Sequence, residues 1–297
     1  MTSPDLSQEA GNVGIAEMLA LSVEAADRRE LIELTRAVSS GRPCAPRPLS
    51  MIIPAAGKGT RLQSDVPKPL VPVGGMPMLH RLLTLARCLD ARPIVVVSHD
   101  GYEEISASLA GTPLGARLVI QRSGWGMGHA VLDALQWVDS GDDILVVWGD
   151  MPVVRYSTAA SSLMMHRAFR ANLSATVPTV NRRDPYVALD RDRLGGLYKV
   201  RESRKGHPIP PVGESDCGMF VCRPTALRRA LERASEGASS SEEEPLELDF
   251  LPCLMEMQNE APVLCARIGT HFESVGINTP GDLEAVNHYY RWGTPCF

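Results

Sequence analysis

Short apolar runs alternate with amphipathic segments in the first half of the chain. Four continuous apolar runs are typical of strands that are buried on both faces of a sheet, and they lie at residues 52–53, 93–97, 118–120 and 144–148. Between them, residues 78–89 and 131–138 place leucine, valine and alanine on one face at helical spacing. This alternation predicts an α/β fold with a Rossmann-like, mostly parallel sheet flanked by helices. Ligands of such sheets bind beyond the carboxyl ends of the strands.

The second half of the chain has a different pattern. Residues 186–189 and 197–201 are predicted to be antiparallel strands, which would form a smaller region beside the parallel sheet. Residues 203–216 are polar and interrupted by prolines, which indicates a loop. Two helices are predicted at 246–255 and 279–290, and the second begins at a threonine that can act as its N-cap.

The chain is predicted to have two parts. Residues 1–48 carry two short helical stripes and then a linker rich in serine, glycine and proline, whereas residues 49–297 form the main domain. The N-terminal extension is interpreted either as an arm for a partner or a second copy, giving a homo-oligomer, or as a weakly ordered helical pair on the domain surface.

Composition and charge exclude several classes of protein. The 297 residues carry a net charge of −5, which argues against a broad nucleic-acid surface. No apolar run approaches the roughly 18 residues of a membrane span, and the N-terminus lacks the features of a secretory signal. The 7 cysteines have no C-x-x-C spacing, so we expect reduced thiols in a cytoplasmic protein and no zinc site.

Residues 52–79 contain the most informative motif of the chain. An apolar strand runs into the sequence A-A-G-K-G-T-R, and a P-K-P segment follows at 67–69. A glycine-rich loop after a strand places backbone N–H groups around an anion, and Lys58, Arg61 and Lys68 add positive charge. The spacing differs from that of the P-loop and of the dinucleotide-binding G-x-G-x-x-G motif. The loop therefore indicates a nucleoside triphosphate site, and the alternative is a basic surface turn before a helix.

This motif resembles the signature of the sugar-phosphate nucleotidyltransferases, and most of all the uridylyltransferase domains of bacterial N-acetylglucosamine-1-phosphate uridylyltransferases. The segments G-K-G-T-R, S-D-x-P-K and G-x-P-M-L begin an ordered series of matching motifs over about residues 50–291. The resemblance implies that Arg61 and Lys68 are catalytic. It also implies that the loop binds the triphosphate through Ala55, Ala56, Gly57, Lys58, Gly59 and Thr60.

Two side chains that carry an oxygen donor follow apolar segments at distant points of the chain. Asp150 comes directly after the strand at 144–148, and Asn278 follows the apolar stretch 272–275. Carboxylate and amide oxygens are ligands that Mg²⁺ accepts, although both residue types also occur as turn or cap residues. The resemblance implies that Asp150 and Asn278 hold a Mg²⁺ cofactor, because the family places its metal ligands in similar G-D-x-P and G-V-N segments.

A second nucleotide-binding element is implied by Gln121 and the segment G-M-G-H-A, which contains Gly126 and Gly128. In the family, a glutamine and a G-T-G-H-A segment recognise the pyrimidine. Met127 replaces the threonine here, so a hydroxyl contact is lost while backbone recognition can persist. Uracil is therefore the first expectation, and cytosine or another base stays open. His129 is interpreted as a structural residue at the start of a helix.

The predicted acceptor pocket departs from the family pattern. Glu202 resembles the sugar-binding glutamate, and Asp216 stands in a D-C-G segment where the family has N-T-G. Tyr186 lies in a P-Y-V segment that lacks an expected glycine. Glu273 could bind substrate, and exposure at a strand edge is the alternative. These departures speak against N-acetylglucosamine 1-phosphate as the acceptor, and Asp216 could accept from hydroxyl or amino groups instead.

The expected reaction is Mg²⁺-dependent transfer of a nucleotidyl group, with a nucleoside triphosphate and a phosphorylated small-molecule acceptor as partners. A uridylyltransferase that uses a sugar 1-phosphate is the first interpretation. The alternatives are a cytidylyltransferase for a phosphonate or alcohol phosphate, and a catalytically silent nucleotide-binding regulator.

Overall fold

The structure is a computed structural model that describes residues 47–57, 59–122, 126–168, 173–192, 196–238 and 247–292. The strands are β1 Leu49–Pro54, β2 Pro72–Val73, β3 Met76–Pro77, β4 Ala91–Val97, β5 Arg117–Ile120, β6 Asp143–Val147, β7 Ala175–Arg183, β8 Val187–Arg191, β9 Leu197–Glu202, β10 Val212–Asp216, β11 Met219–Cys222 and β12 Val263–Ala266. The α-helices are α1 Met78–Cys88, α2 Tyr102–Leu109, α3 Met127–Leu135, α4 Tyr156–Ala168, α5 Pro224–Ala238, α6 Cys253–Glu260 and α7 Pro280–Trp292. Short 3-10 helices cover Thr60–Leu62, Lys68–Leu70, Ser203–Lys205 and His271–Ser274.

Eight of the described strands form one mainly parallel sheet, in the order β10-β7-β11-β6-β1-β4-β5, with β12 paired to β7. Strands β5, β4, β1 and β6 are parallel neighbours, whereas β11 runs antiparallel between β6 and β7. The pairing of Ile52 with Val146 brings the carboxyl ends of β1 and β6 side by side. The loops after these two strands therefore emerge at the same edge of the sheet, and the predicted fold class is confirmed.

Both faces of the sheet are buried, because β1 alternates its side chains between two apolar cores. Ile52 packs with α3 and α5 on one face. Met51 and Ile53 pack with α1 and α4 on the other. All three side chains are fully buried, and truncating one of them to alanine would cost roughly 2–5 kcal/mol. This burial explains why the strand reads as a continuous apolar run, and it fixes the loop that follows β1.

The smaller antiparallel region is confirmed as the β8–β9 hairpin, but two other elements differ from the sequence-based prediction. Residues 203–216 are not all loop, because β10 (Val212–Asp216) pairs antiparallel with β7 and completes the sheet edge. The helix predicted at 246–255 is wrong in its start, since α6 begins at Cys253. Leu248, which lies in the part predicted to be helical, instead accepts a hydrogen bond from the N–H of Gly128 through its carbonyl oxygen, at 2.8 Å. This tertiary contact outweighs the helical pattern.

The predicted N-terminal extension lies outside the described residues, except for Arg47 and Pro48, and its role stays a prediction. Among the helices that the structure describes, none combines the length and apolar character needed to cross a bilayer.

Candidate active site

The loop after β1 turns sharply at Gly59 toward Lys68. Gly59 has φ 62°, in the left-handed region that glycine adopts freely, and it precedes the 3-10 helix Thr60–Leu62. A Cβ atom at Gly59 would lie 2.7 Å from Cβ of Lys68, so no larger residue fits without displacement. Gly57 and Thr60 are exposed on the same loop, and Lys58 lies outside the described residues. Glycine therefore allows the loop backbone to lie against the stem of the lysine that sequence reasoning assigned to catalysis.

The ammonium group of Lys68 brings together the two predicted metal ligands. Its Nζ atom donates to Oδ2 of Asp150 at 2.9 Å and to Oδ1 of Asn278 at 2.9 Å. Nη2 of Arg61 lies 3.4 Å from the same Asn278 oxygen. Four residues from three distant segments thus converge, although their functional roles stay predictions.

Close backbone contacts place Asp150 and Asn278 at this point. The N–H of Gly149 donates to the Pro54 carbonyl at 3.1 Å, and a Cβ at Gly149 would lie 2.5 Å from that oxygen. Glycine is therefore required where the β6 loop crosses the end of β1. The N–H of Ile277 donates to the Asp150 carbonyl at 2.9 Å, which ties the Asn278 segment to the same edge.

The donor set fits a hard divalent cation. One carboxylate oxygen and one amide oxygen point at a common position, which in this structure is marked by the Lys68 nitrogen. Within the described part of the chain there is no group of three or more His, Cys, Asp or Glu residues that could hold a metal. Mg²⁺ is usually bound by one or two protein oxygens together with substrate phosphates and water, so this small set suits it.

The first turn of α7 fixes the position of the Asn278 segment through hydrogen bonds. Oδ2 of Asp282 accepts from the N–H groups of Asn278 at 3.0 Å and of Thr279 at 2.7 Å. The Asp282 N–H in turn reaches the Thr279 hydroxyl at 3.2 Å, as in a capping box. The predicted N-cap is therefore confirmed, and it orients the predicted metal ligand.

The predicted base-binding element packs against a segment that sequence reasoning missed. Gly126 has φ 93°, and a Cβ there would lie 2.6 Å from the Leu248 carbonyl oxygen. A Cβ at Gly128 would lie 2.7 Å from the same oxygen. Nε2 of Gln121 donates to the Gly126 carbonyl at 3.3 Å, which joins the predicted glutamine to this turn. Both glycines are thus required by packing, independently of any nucleotide contact.

Two carboxylates of the predicted acceptor pocket are buried and influence each other. Glu202 ends β9 with 2% exposure, and Asp216 ends β10 with 6% exposure. Burial raises the pKa of Asp216 to about 6, and the negative charge of Glu202 adds to the rise. The N–H of Gly218 and the charge of Arg182 oppose it. The structure therefore brings Glu202 and Asp216 into one electrostatic neighbourhood.

The other two predicted acceptor residues have different surroundings. Tyr186 is 53% exposed, and its carbonyl accepts from the N–H of Ser203 beside Glu202. Glu273 is 1% exposed in a 3-10 helix, so the alternative of an exposed strand edge is wrong. Its carboxylate accepts from Nε of Arg155 at 2.8 Å and from the Thr158 hydroxyl at 3.1 Å. These bonds anchor the segment that leads to Asn278, and acceptor binding by Glu273 stays a prediction.

Comparisons with known proteins identify the family of this chain. The sequence profile of the MobA-like NTP transferase domain family matches residues 51–242. The bifunctional protein GlmU of Cupriavidus pinatubonensis is 33% identical over 248 residues, which are 82% of this chain and 52% of the relative. GlmU of Burkholderia multivorans is 29% identical over the same shares. The chain thus spans about half the length of the curated relatives it matches.

Two solved structures share the fold. A Bacillus anthracis protein assigned as a glucose-1-phosphate thymidylyltransferase has a TM-score of 0.65 at 17% identity and covers 82% of this chain and 96% of its own. The 4-diphosphocytidyl-2C-methyl-D-erythritol synthase of Anaerococcus prevotii has a TM-score of 0.57 at 18% identity, covering 82% of this chain and 99% of its own. The resemblance noted from the motifs is confirmed: the chain belongs to the MobA-like NTP transferase domain family and is a nucleotidyltransferase.

Proposed function

We propose that the chain is a Mg²⁺-dependent uridylyltransferase that joins UTP to a sugar 1-phosphate, or to a similar phosphate monoester, and releases pyrophosphate. The observation that carries the proposal is the convergence of Asp150, Asn278 and Lys68, with both oxygen donors 2.9 Å from one nitrogen. The resemblance of the motifs to uridylyltransferase domains supports UTP as the first choice of triphosphate.

The proposed reaction is an in-line displacement at the α-phosphorus. An oxygen of the acceptor phosphate forms the new bond to phosphorus, the bond to the β-bridging oxygen breaks, and that electron pair leaves with pyrophosphate. No strong base is required, because a phosphate monoester is already an anion near pH 7. The main barrier is the approach of two anions, so catalysis depends on positive charge placed in advance.

The residues at the loop supply that charge. A cation about 4 Å from a phosphate oxygen is worth roughly 4 kcal/mol at an effective dielectric constant near 20. Lys68 and Arg61 are within reach of the same amide oxygen, so both can turn toward a triphosphate that enters beside it. Mg²⁺ held by Asp150 and Asn278 would add charge stabilisation at the phosphate oxygens.

The acceptor is proposed to differ from an N-acetyl sugar phosphate. Asp216 occupies the position where the resemblance implies an asparagine, and it is a buried carboxylate beside Glu202. A carboxylate accepts hydrogen bonds but donates none when ionised, so it favours hydroxyl or amino groups over an acetamido carbonyl. A hexose or amino-sugar 1-phosphate is therefore the expected acceptor class.

A matrix of substrates tests the proposed function. The four nucleoside triphosphates are each combined with glucose 1-phosphate, glucosamine 1-phosphate, N-acetylglucosamine 1-phosphate and phosphocholine, and pyrophosphate release is measured with and without Mg²⁺. We expect release that requires Mg²⁺ and is greatest with UTP and a sugar without an N-acetyl group.

The other outcomes separate the alternatives. Release with CTP and phosphocholine alone would replace the proposal by a cytidylyltransferase for an alcohol phosphate. Binding of a triphosphate without pyrophosphate release from any pair would favour a nucleotide-binding regulator and refute the proposal. Asp150→Asn serves as the matched negative control, because it keeps the side-chain shape and removes the charge that would hold the cation.

A further inference from the structure

Both carboxylate oxygens of Glu202 are already engaged by cations from the turn that follows β9. Nε of Arg204 donates to Oε2 at 3.0 Å, and Nζ of Lys205 lies 2.9 Å from Oε1. The Glu202 side chain is 3% exposed, whereas the two cations are each about one-third exposed, at 35% and 33%. A ligand that approaches Glu202 therefore meets the N–H donors of Arg204 and Lys205 together with the carboxylate.

A second carboxylate, that of Asp249, binds both cations. Nζ of Lys205 lies 2.6 Å from Oδ2 of Asp249, and Nη2 of Arg204 bonds Oδ1 of the same carboxylate. Nη1 of Arg204 also reaches Oε1 of Glu247 at 3.3 Å. A charged network of this kind restrains long side chains better than isolated surface pairs do. Without Asp249, the carboxylates among the described residues that hold these cations in place would be Glu202 for Lys205, and Glu202 with Glu247 for Arg204.

The segment that carries Asp249 also contacts the predicted base-binding turn. The carbonyl of Leu248, the neighbouring residue, accepts from the N–H of Gly128 at 2.8 Å. Cβ atoms at Gly126 and Gly128 would collide with this carbonyl, so the approach is as close as backbone permits. Residues 247–249 therefore contact the base-binding turn through Leu248, and contact Arg204 and Lys205 through the side chains of Glu247 and Asp249.

We propose that Asp249 is a positioning residue for the phosphorylated acceptor, acting through Arg204 and Lys205. It holds the two cations against Glu202, so that the carboxylate keeps one orientation and the remaining N–H groups face the oxygen atoms of the acceptor. This inference rests on the proposed function, because it takes Glu202 as the acceptor-side carboxylate. Asp249 lies in the stretch 246–255, which the sequence pattern predicts to be a helix.

The test is a steady-state comparison of Asp249→Asn with the wild-type chain, using the sugar 1-phosphate that gives the highest rate. Asparagine keeps the size but removes the charge that restrains Arg204 and Lys205. We expect the KM for the acceptor to rise about tenfold or more, while the KM for the triphosphate stays within twofold and the thermal midpoint changes little. Asp249→Glu should restore part of the acceptor affinity.

Controls separate positioning from general damage. Glu232→Gln removes an exposed carboxylate on α5 and should leave both KM values unchanged. An unchanged acceptor KM in Asp249→Asn, or an equal rise in both KM values, would refute the positioning role while an active wild-type chain keeps the proposed function. A wild-type chain that releases no pyrophosphate with any acceptor would refute the proposed function itself.

Discussion

Replacing Asp216 with asparagine should stabilise the protein at neutral and alkaline pH. Burial raises the pKa of this carboxyl from 3.8 to about 6, so the folded state holds its proton more tightly than the unfolded chain does. Stability contributed by the protonated form is complete below about pH 4 and is lost as the pH rises through about 6. Above pH 6 the folded protein therefore carries a buried charge that asparagine would remove.

The size of the effect follows from the shift of about two pKa units. At 1.36 kcal/mol for each unit, ionised Asp216 costs about 3 kcal/mol at pH 8, and the cost is about half of that at pH 5. Asparagine keeps an oxygen that can accept the Gly218 N–H, which now donates to Asp216 Oδ1 at 2.8 Å. The substitution therefore removes the charge without orphaning its backbone partner.

Urea unfolding at pH 5 and pH 8 measures this difference. We expect Asp216→Asn to raise the free energy of unfolding by about 3 kcal/mol at pH 8 and by about half as much at pH 5. Asp184→Asn is the control, because Asp184 is exposed and has φ 45°, which asparagine tolerates equally. A variant no more stable than the wild type at pH 8 would refute the inference that Asp216 is a buried charge.

The same substitution tests the acceptor pocket. Asparagine is the residue that the resemblance implies at this position for a site that binds an N-acetyl sugar. We expect Asp216→Asn to lower the KM for N-acetylglucosamine 1-phosphate relative to glucose 1-phosphate. An unchanged ratio of the two KM values would mean that Asp216 does not contact the position-2 substituent of the sugar.

Four further substitutions test separate parts of the site. Arg61→Ala and Lys68→Ala should each reduce turnover on the order of 10²-fold in a pyrophosphate-release assay, and near-normal turnover in both would refute their roles. Gly128→Ala should lower the unfolding free energy by about 1–3 kcal/mol, because its Cβ would lie 2.7 Å from a backbone oxygen; no loss in urea titration would contradict this. Glu273→Gln should lower it by about 1–3 kcal/mol, since it weakens the charge-assisted hydrogen bonds that Arg155, whose side chain is 36% exposed, makes to this buried carboxylate, and a thermal midpoint equal to wild type would count against it.

The parallel half of the sheet could be predicted because its strands are buried on both faces. Ile52 and Ile53 face opposite cores, so the strand must be apolar at successive positions and stands out in the sequence. The loop after it follows directly in the chain, and its glycines and cations therefore appear as one local motif. Features formed by neighbouring residues of the chain, such as this strand and its loop, are the ones that a single sequence predicts best.

Contacts between segments that are distant in the chain could not be predicted from the sequence pattern. β10 lies in a polar stretch after several prolines, and it is a strand because Glu214 is buried with Thr179 and Arg191 as partners. Residues 247–252 have apolar residues at helical spacing, yet contact with Gly128 keeps Leu248 out of a helix. The raised pKa of Asp216 likewise depends on burial by segments far away in the chain, which composition cannot reveal.

The candidate site was anticipated in part. Asp150 and Asn278 were selected on the resemblance and on their place after apolar segments, and the fold brings both to Lys68. Asp249 and Arg182 were missed, because an isolated aspartate or arginine carries no signal until the residues around it are known. The nearest available signal was the pair of basic residues at positions 204 and 205, shortly after Glu202.

A crystal structure with Mn²⁺ and a non-hydrolysable UTP analogue tests the central claim most directly. Anomalous scattering locates the Mn²⁺ ion without reference to the protein. We expect the ion between the side-chain oxygens of Asp150 and Asn278, with Lys68 Nζ displaced onto the triphosphate together with Arg61. An ion bound elsewhere, with these four side chains turned away from the phosphates, would contradict the proposed site.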